Sequence, residues 1–163
     1  MISIRAAEEA EVPLILAFIR ELAEYERLAH AVTATEADLR ASLFGRERYA
    51  RALFACDEAV AVGFAIYFFN YSTFLGRPGL YLEDLFVRPA ARGRGVGRAL
   101  LRHLAAVALE HGCGRFEWSV LDWNTPALDF YTKIGAARLD EWKVHRLDGP
   151  ALDSVAARTQ PLG

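Results

Sequence analysis

The segment Arg92-Gly93-Arg94-Gly95-Val96-Gly97-Arg98-Ala99 lies between an apolar run of strand length and a long amphipathic pattern with helical spacing. Glycine at three alternate positions strips side chains from the backbone where a helix begins, so several amide N–H groups can turn toward one anion. Arginines interleave: Arg88, Arg92, Arg94, Arg98 and Arg102 fall within fifteen positions of a chain whose net charge is only -2. A helix start offers about half a positive charge and arginine a forked pair of donors, which together suit a pyrophosphate. A solvated arginine face would explain the arginines but leaves glycine at 93, 95 and 97 without a reason.

Spacing narrows the type of loop. A Walker loop needs Lys-Ser or Lys-Thr after its last glycine, and no lysine follows here. A dinucleotide fingerprint needs G-x-G-x-x-G, yet counting from Gly93 and Gly95 puts Arg98 in the third glycine's place. What remains is R-x-x-G-x-G, with Arg92, Gly95 and Gly97 in register behind an apolar strand.

With 163 residues, 53% of them hydrophobic and 25% charged, the sequence predicts one soluble globular domain over 1–163. Near-neutral charge argues against nucleic acid or an anionic membrane as the main partner. Cys56 and Cys113 stand far apart with no second ligand pair, so neither a disulfide framework nor a metal site is expected. No apolar run approaches the ~20 residues that span a bilayer, and the N-terminus does not read as a leader, which together imply a reducing cytoplasm.

From the N-terminus, Ile2 to Arg5 alternates as a strand, and Glu9 to about Arg27 repeats apolar residues at helical spacing, ending at Tyr25-Glu26. Thr35-Glu36-Ala37-Asp38 heads a second helix to about Phe44. Strands follow at Arg51 to Cys56 and Ala59 to Tyr71, joined at Asp57-Glu58. A loop from Phe74 to Gly79 precedes a strand from Leu80 to Val87, which is interrupted by Glu83 and Asp84. After the glycine turn come a helix to His111, a strand from Arg115 to Leu121 and a helix capped by Asn124 and stopped at Gly135. A last strand is expected from Glu141 to Leu147, and the tail after Pro150 carries no decisive pattern. This order predicts an α/β domain with a mixed sheet and helices on both faces.

The glycine turn, Glu21-Leu22-Ala23-Glu24-Tyr25-Glu26, Leu80-Tyr81-Leu82-Glu83-Asp84, Trp123-Asn124-Thr125-Pro126, Phe130-Tyr131 and Gly135-Ala136 occur in an order that resembles the GCN5-related N-acetyltransferase (GNAT) superfamily. The similarity is greatest to its spermidine/spermine, diamine and thialysine acetyltransferase branch. The resemblance implies a GNAT-like single domain with a mostly antiparallel twisted sheet, acetyl-coenzyme A as cosubstrate and a homodimer. It also implies that the peptide-like arm of the coenzyme pairs with Leu85, Phe86 and Val87 and that Tyr131 lies beside the sulfur; Asn124 could contact the same arm as well as cap its helix, the two roles being compatible.

The chemistry needs a group for each task. Residues Arg92, Gly93, Arg94, Gly95, Val96, Gly97 and Arg98 would hold the pyrophosphate. An ammonium has no lone pair, so a carboxylate must take its proton, and Glu83 is favoured over Asp84 because neighbours in a regular strand face opposite ways. A structural ion pair is the competing role for Glu83. Tyr131 can donate a proton to the departing thiolate; its competing role is packing beside Ala127 and Ile134. Tyr25, Glu26, Glu83, Asp84 and Trp118 would surround a small cationic amine, among them a polyamine, diamine, thialysine-like amino acid or aminoglycoside. The alternatives are a coenzyme A-binding sensor without turnover and an enzyme acting on protein amino groups.

Overall fold

In the computed structural model, which describes residues 1–157, the elements run β1 (Ile2–Ala6), α1 (Val12–Tyr25), α2 (Glu36–Phe44), β2 (Arg51–Asp57), β3 (Val60–Ser72), β4 (Arg77–Val87), α3 (Val96–Glu110), β5 (Arg115–Trp118), α4 (Thr125–Lys133) and α5 (Gly149–Ala157). Single 3-10 turns sit at Glu9–Glu11, Ala29–Ala31 and Pro89–Ala91. The chain divides into two compact units, Met1–Ser119 and Val120–Gly163.

The first unit holds a five-stranded sheet in sequence order, antiparallel throughout except for the parallel pair β4 and β5. On one face Val12, Ile15, Leu16, Phe18 and Leu22 of α1, with Leu39 and Leu43 of α2, cluster with Phe54, Phe64, Ile66 and Phe86 of the strands. Phe18 lies 5.2 Å from the Phe64 ring and 5.6 Å from that of Phe54, all three fully buried. Burying each ring stabilises the fold by about 2–3 kcal/mol, which locks α1 to the sheet. Val96, Leu100, Leu101, Leu104 and Ala108 of α3 are buried outside that cluster, with Leu80 and Leu82 of β4, so the sheet carries helices on both faces as expected.

Local chemistry sets the ends that matter. Helix α1 stops because Arg27 takes a left-handed φ of 62° and the Leu28 N–H returns 2.8 Å to the Ala23 carbonyl, leaving Tyr25 and Glu26 at its tip. Helix α2 starts in a reciprocal cap: Asp38 N–H donates 3.2 Å to Thr35 Oγ1, and Thr35 N–H donates 2.9 Å to Asp38 Oδ2.

Three expectations are corrected. Strand β4 begins at Arg77, so Pro78 and Gly79 belong to it, opposite Tyr71 and Asn70. Gly79 is there for close packing: a Cβ would come within 2.3 Å of Asn70 Oδ1 and 3.0 Å of Arg115 Cγ. Strand β5 ends at Trp118, three residues early. Residues 141–147 form no strand, and Trp142, Val144 and Leu147 are exposed. The alternating pattern is present, but the described part of the second unit contains no strand to pair with it. Of the tail beyond Pro150, residues to Ala157 lie in α5, and 158–163 lie outside the described residues.

Candidate active site

Two left-handed glycines make the turn into α3. Gly93 has φ 73° and Gly95 φ 80°, a conformation that side chains disfavour, and Gly95 is the N-cap with no side chain bonding the helix start. The first intrahelical bond runs from Ala99 N–H to Gly95 O at 2.9 Å, so the amides of Val96, Gly97 and Arg98 precede the ladder. Gly97 has an ordinary φ, and an added Cβ would meet nothing nearer than Val87 Cγ2 at 3.9 Å and Leu85 Cδ2 at 4.0 Å. Nothing in the chain itself requires glycine at 97. The open space before these amides fits the close approach of an anionic ligand such as a pyrophosphate.

The edge of β4 continues this surface. Arg88 N–H donates 3.0 Å to Val62 O, and the register pairs Gly63 with Val87, Phe64 with Phe86 and Ala65 with Leu85. Antiparallel ladders alternate, so Phe86 bonds toward β3, whereas the N–H and C=O groups of Leu85 and Val87 face the other way. On that side β5 pairs with β4 only from Gly79 to Leu82. The pairing expected of Leu85, Phe86 and Val87 is therefore narrowed to Leu85 and Val87. The Phe86 ring is core.

A bulge in β4 decides where the carboxylates point. Ile66 is opposite Asp84 and Tyr67 opposite Leu82, which leaves Glu83 as the extra residue. The phase of the strand changes there. Leu80 and Leu82 lie outside the α1 cluster and Phe86 within it, while Leu85 and Val87 approach Gly97 of α3. The rule of opposite faces thus fails at this pair, and Asp84 joins the α1 side. Glu83 is exposed and Asp84 half-buried. Burial, and then the charges of Glu83 and Glu26, push the Asp84 carboxyl up to about 7. Burial also raises Glu26 above the ordinary carboxylate range. Glu26, Glu83 and Asp84 accordingly share one electrostatic neighbourhood, with Asp84 poised to exchange a proton near neutral pH.

The arginines divide by partner. Arg94 binds Asp57 at 2.6 Å, and the N-terminal amine lies 3.4 Å from the same carboxylate, which Arg94 holds below its usual range. Arg92 donates from Nε to Val87 O at 2.9 Å and places its guanidinium 4.7 Å from the centre of the Tyr25 ring. Arg88 grips Glu21 at 2.6 and 2.9 Å, donates 3.1 Å to Ala61 O and covers the Phe18 ring at 4.2 Å. Arg98 and Arg102 are exposed on α3. The cation over the Tyr25 ring is thus the chain's own Arg92. Sequence reasoning missed Asp57 and Glu21 as partners, since neither carries a signal beyond its charge.

Trp118 ends β5 opposite Leu82 and meets Phe116 edge-on at 5.0 Å. Next to it, the Ser119 and Tyr81 hydroxyls lie 2.7 Å apart at the last paired turn of β4 and β5. Asn124 and Tyr131 belong to the second unit. Asn124 is buried and caps α4, accepting from Ala127 N–H at 3.4 Å; Tyr131 lies half-buried on α4 with its ring 5.5 Å from Phe130. Among the described residues no group of three or more His, Cys, Asp or Glu could hold a metal ion, and no helix is long and apolar enough to cross a membrane.

A mixed sheet, a left-handed glycine turn at the start of α3 and a β4 edge that β5 leaves uncovered beyond Leu82 are the frame to which sequence comparison gives a name. The model of the Acetyltransferase (GNAT) family matches residues 16–136, and the chain belongs to this family, in its diamine and thialysine branch. It is therefore an acyltransferase. It is 40% identical to the thialysine N-epsilon-acetyltransferase of Sus scrofa over 95% of this chain and 97% of that one. It is 32% identical to the L-ornithine N5-acetyltransferase of Arabidopsis thaliana, over 93% and 86%. An integron cassette protein from V. cholerae superimposes with a TM-score of 0.80 at 30% identity, covering 96% of this chain and 98% of that chain.

Proposed function

We propose that this chain transfers the acetyl group of acetyl-coenzyme A to the primary amine of a small cationic acceptor: a polyamine, a diamine or a lysine-like amino acid such as thialysine. The observation that carries the reading is the Asp84 carboxyl, pushed up to about 7 on the same strand whose Leu85 and Val87 edge runs into the glycine turn. The named relatives from Sus scrofa and Arabidopsis thaliana support an amino acid with a side-chain amine as acceptor.

The amides of Gly93 to Arg98 would hold the pyrophosphate, and Leu85 and Val87 would pair with the peptide-like arm as an added strand does. When bound, the coenzyme supplies an activated acyl carbon. The Leu85 N–H would stabilise negative charge growing on an oxygen beside the bulge. Glu26 and Glu83 attract the ammonium, and Asp84 takes its proton, directly or through a water, so that the neutral amine attacks while both substrates are bound. Tyr131 would donate a proton to the leaving thiolate, and Asn124 would contact the arm. A homodimer, a cytoplasmic location and one N-acetyltransferase domain over 1–163 complete the reading.

The test is a thiol-release assay with acetyl-coenzyme A and a panel of spermidine, short diamines, lysine analogues and aminoglycosides. Thiol release matched by an acetylated small amine is expected. Tight coenzyme binding without release from any of them would instead describe a sensor, and release only with protein amino groups would move the acceptor class.

A further inference from the structure

We propose that Arg92 and Arg88 are positioning residues that staple the phosphate turn to one face of α1, so that the acceptor acids are held in register with the coenzyme edge. This deepens the function proposed above and rests on it. Glu21 and Tyr25 are four residues apart on α1, hence stacked on the same side of the helix one turn apart. Arg88 and Arg92 are likewise four apart, flanking the 3-10 turn Pro89–Ala91. Each arginine takes one of the two: Arg88 binds Glu21 through two nitrogens, and Arg92 lies over Tyr25.

Both also fix backbone where β4 leaves the sheet, Arg92 on β4 and Arg88 on β3. Arg92 Nε holds the Val87 carbonyl at 2.9 Å, one of the groups on the open edge, and its guanidinium also faces the buried Phe86 ring at 5.5 Å. Its own N–H is spent on Pro89 O at 3.2 Å. Arg88 reaches the Ala61 carbonyl of β3 and so ties α1, β3 and the exit of β4 in one contact set. An arginine that binds phosphate aims its forked donors outward at the ligand, whereas these two turn inward to an aromatic ring, a carboxylate and carbonyl oxygens. Glu26 directly follows Tyr25, so loosening the Arg92 staple frees an acceptor acid, whereas the glycine turn keeps its separate tie from Arg94 to Asp57 at 2.6 Å.

The roles separate by what is lost. The tests use the full chain, coenzyme A binding by calorimetry, and KM and kcat for the best amine. Arg92→Leu is expected to leave coenzyme A affinity within about threefold and to raise the acceptor KM about tenfold, as one charge-assisted and stacking contact is lost. Tyr25→Ala should give the same acceptor KM, the double variant no further loss, and Tyr25→Phe, which keeps the ring, nearly wild-type values. Arg92→Lys, which keeps the charge and guards against a variant that fails to fold, should behave as Arg92→Leu, because lysine cannot reproduce the fork and stack. Coenzyme A affinity reduced tenfold or more in Arg92→Leu and restored in Arg92→Lys, or additive losses with Tyr25→Ala, would overturn the proposal. If no amine is acetylated at all, the proposed function fails, and the calorimetry still decides whether Arg92 is a ligand or a staple.

Discussion

Asp57, the last residue of β2, holds Arg94 of the glycine turn at 2.6 Å, so one arginine of the proposed pyrophosphate loop is already paired within the protein. A phosphate arriving there meets a paired guanidinium with a carboxylate behind it. Asp57→Asn is predicted to lower the acetyl-coenzyme A KM about two- to threefold at low salt, an advantage that fades at high salt because exposed charges are screened. Arg94→Ala should raise KM by only about threefold, less than an unpaired arginine on a phosphate would imply. Initial rates at two salt concentrations check both.

Gly97 separates a packing role from a ligand role. A methyl there has room inside the protein, with its nearest neighbour 3.9 Å away, so Gly97→Ala is predicted to leave the melting temperature unchanged or slightly raised. The same methyl would stand beside Leu85 and Val87, the edge proposed for the coenzyme arm, and should weaken coenzyme A binding by at least about tenfold, as steric exclusion from a close backbone contact would. Thermal melts and calorimetry on one preparation read both numbers.

Asp84 gives the account its pH dependence. With its carboxyl at about 7, kcat/KM should rise with pH and level off above that value, because only the deprotonated form accepts a proton. Glu83→Gln removes a charge that raises Asp84 and should move this limb to lower pH, while Asp84→Asn should abolish it. Stability has the opposite slope. A carboxyl whose folded-state pKa lies above its unfolded value favours folding at low pH and loses that contribution as pH climbs toward 7. Asp84→Asn is therefore expected to melt as wild type does at about pH 4 and higher by a few °C at about pH 8, measured by pH-resolved melts.

Tyr131→Phe tests the acid proposed in the second unit. Loss of the hydroxyl should lower kcat about a hundredfold with little change in either KM. Turnover near wild type would return Tyr131 to a packing role beside Phe130.

How much of this was readable in the sequence follows from which forces are local. Thr35 and Asn124 cap their helices, the glycine turn opens α3 and Gly135 turns left-handed after α4, all as their residue types dictate. Pro78 and Gly79 looked like a turn because proline and glycine usually make one, but Gly79 is small to clear Asn70 and Arg115, a demand set by residues distant in sequence. The segment 141–147 has a strand's alternation without a strand beside it. At the site, the turn residues were legible. The bulge at Glu83 was not, since alternation assumes equal spacing, and only two adjacent carboxylates within an apolar strand hinted at it. Charge and the R-x-x-G-x-G spacing point Arg92 to the phosphate, and neither reveals that its guanidinium turns to Tyr25 and Val87.

Backbone amide resonances of the full chain, titrated with coenzyme A, read the proposed binding edge residue by residue. Leu85, Val87, Gly93 and the amides from Gly95 to Arg98 are expected to shift together and saturate at one affinity, while Phe86, bonded toward β3, moves far less. Saturable binding with those amides silent would contradict the proposed edge.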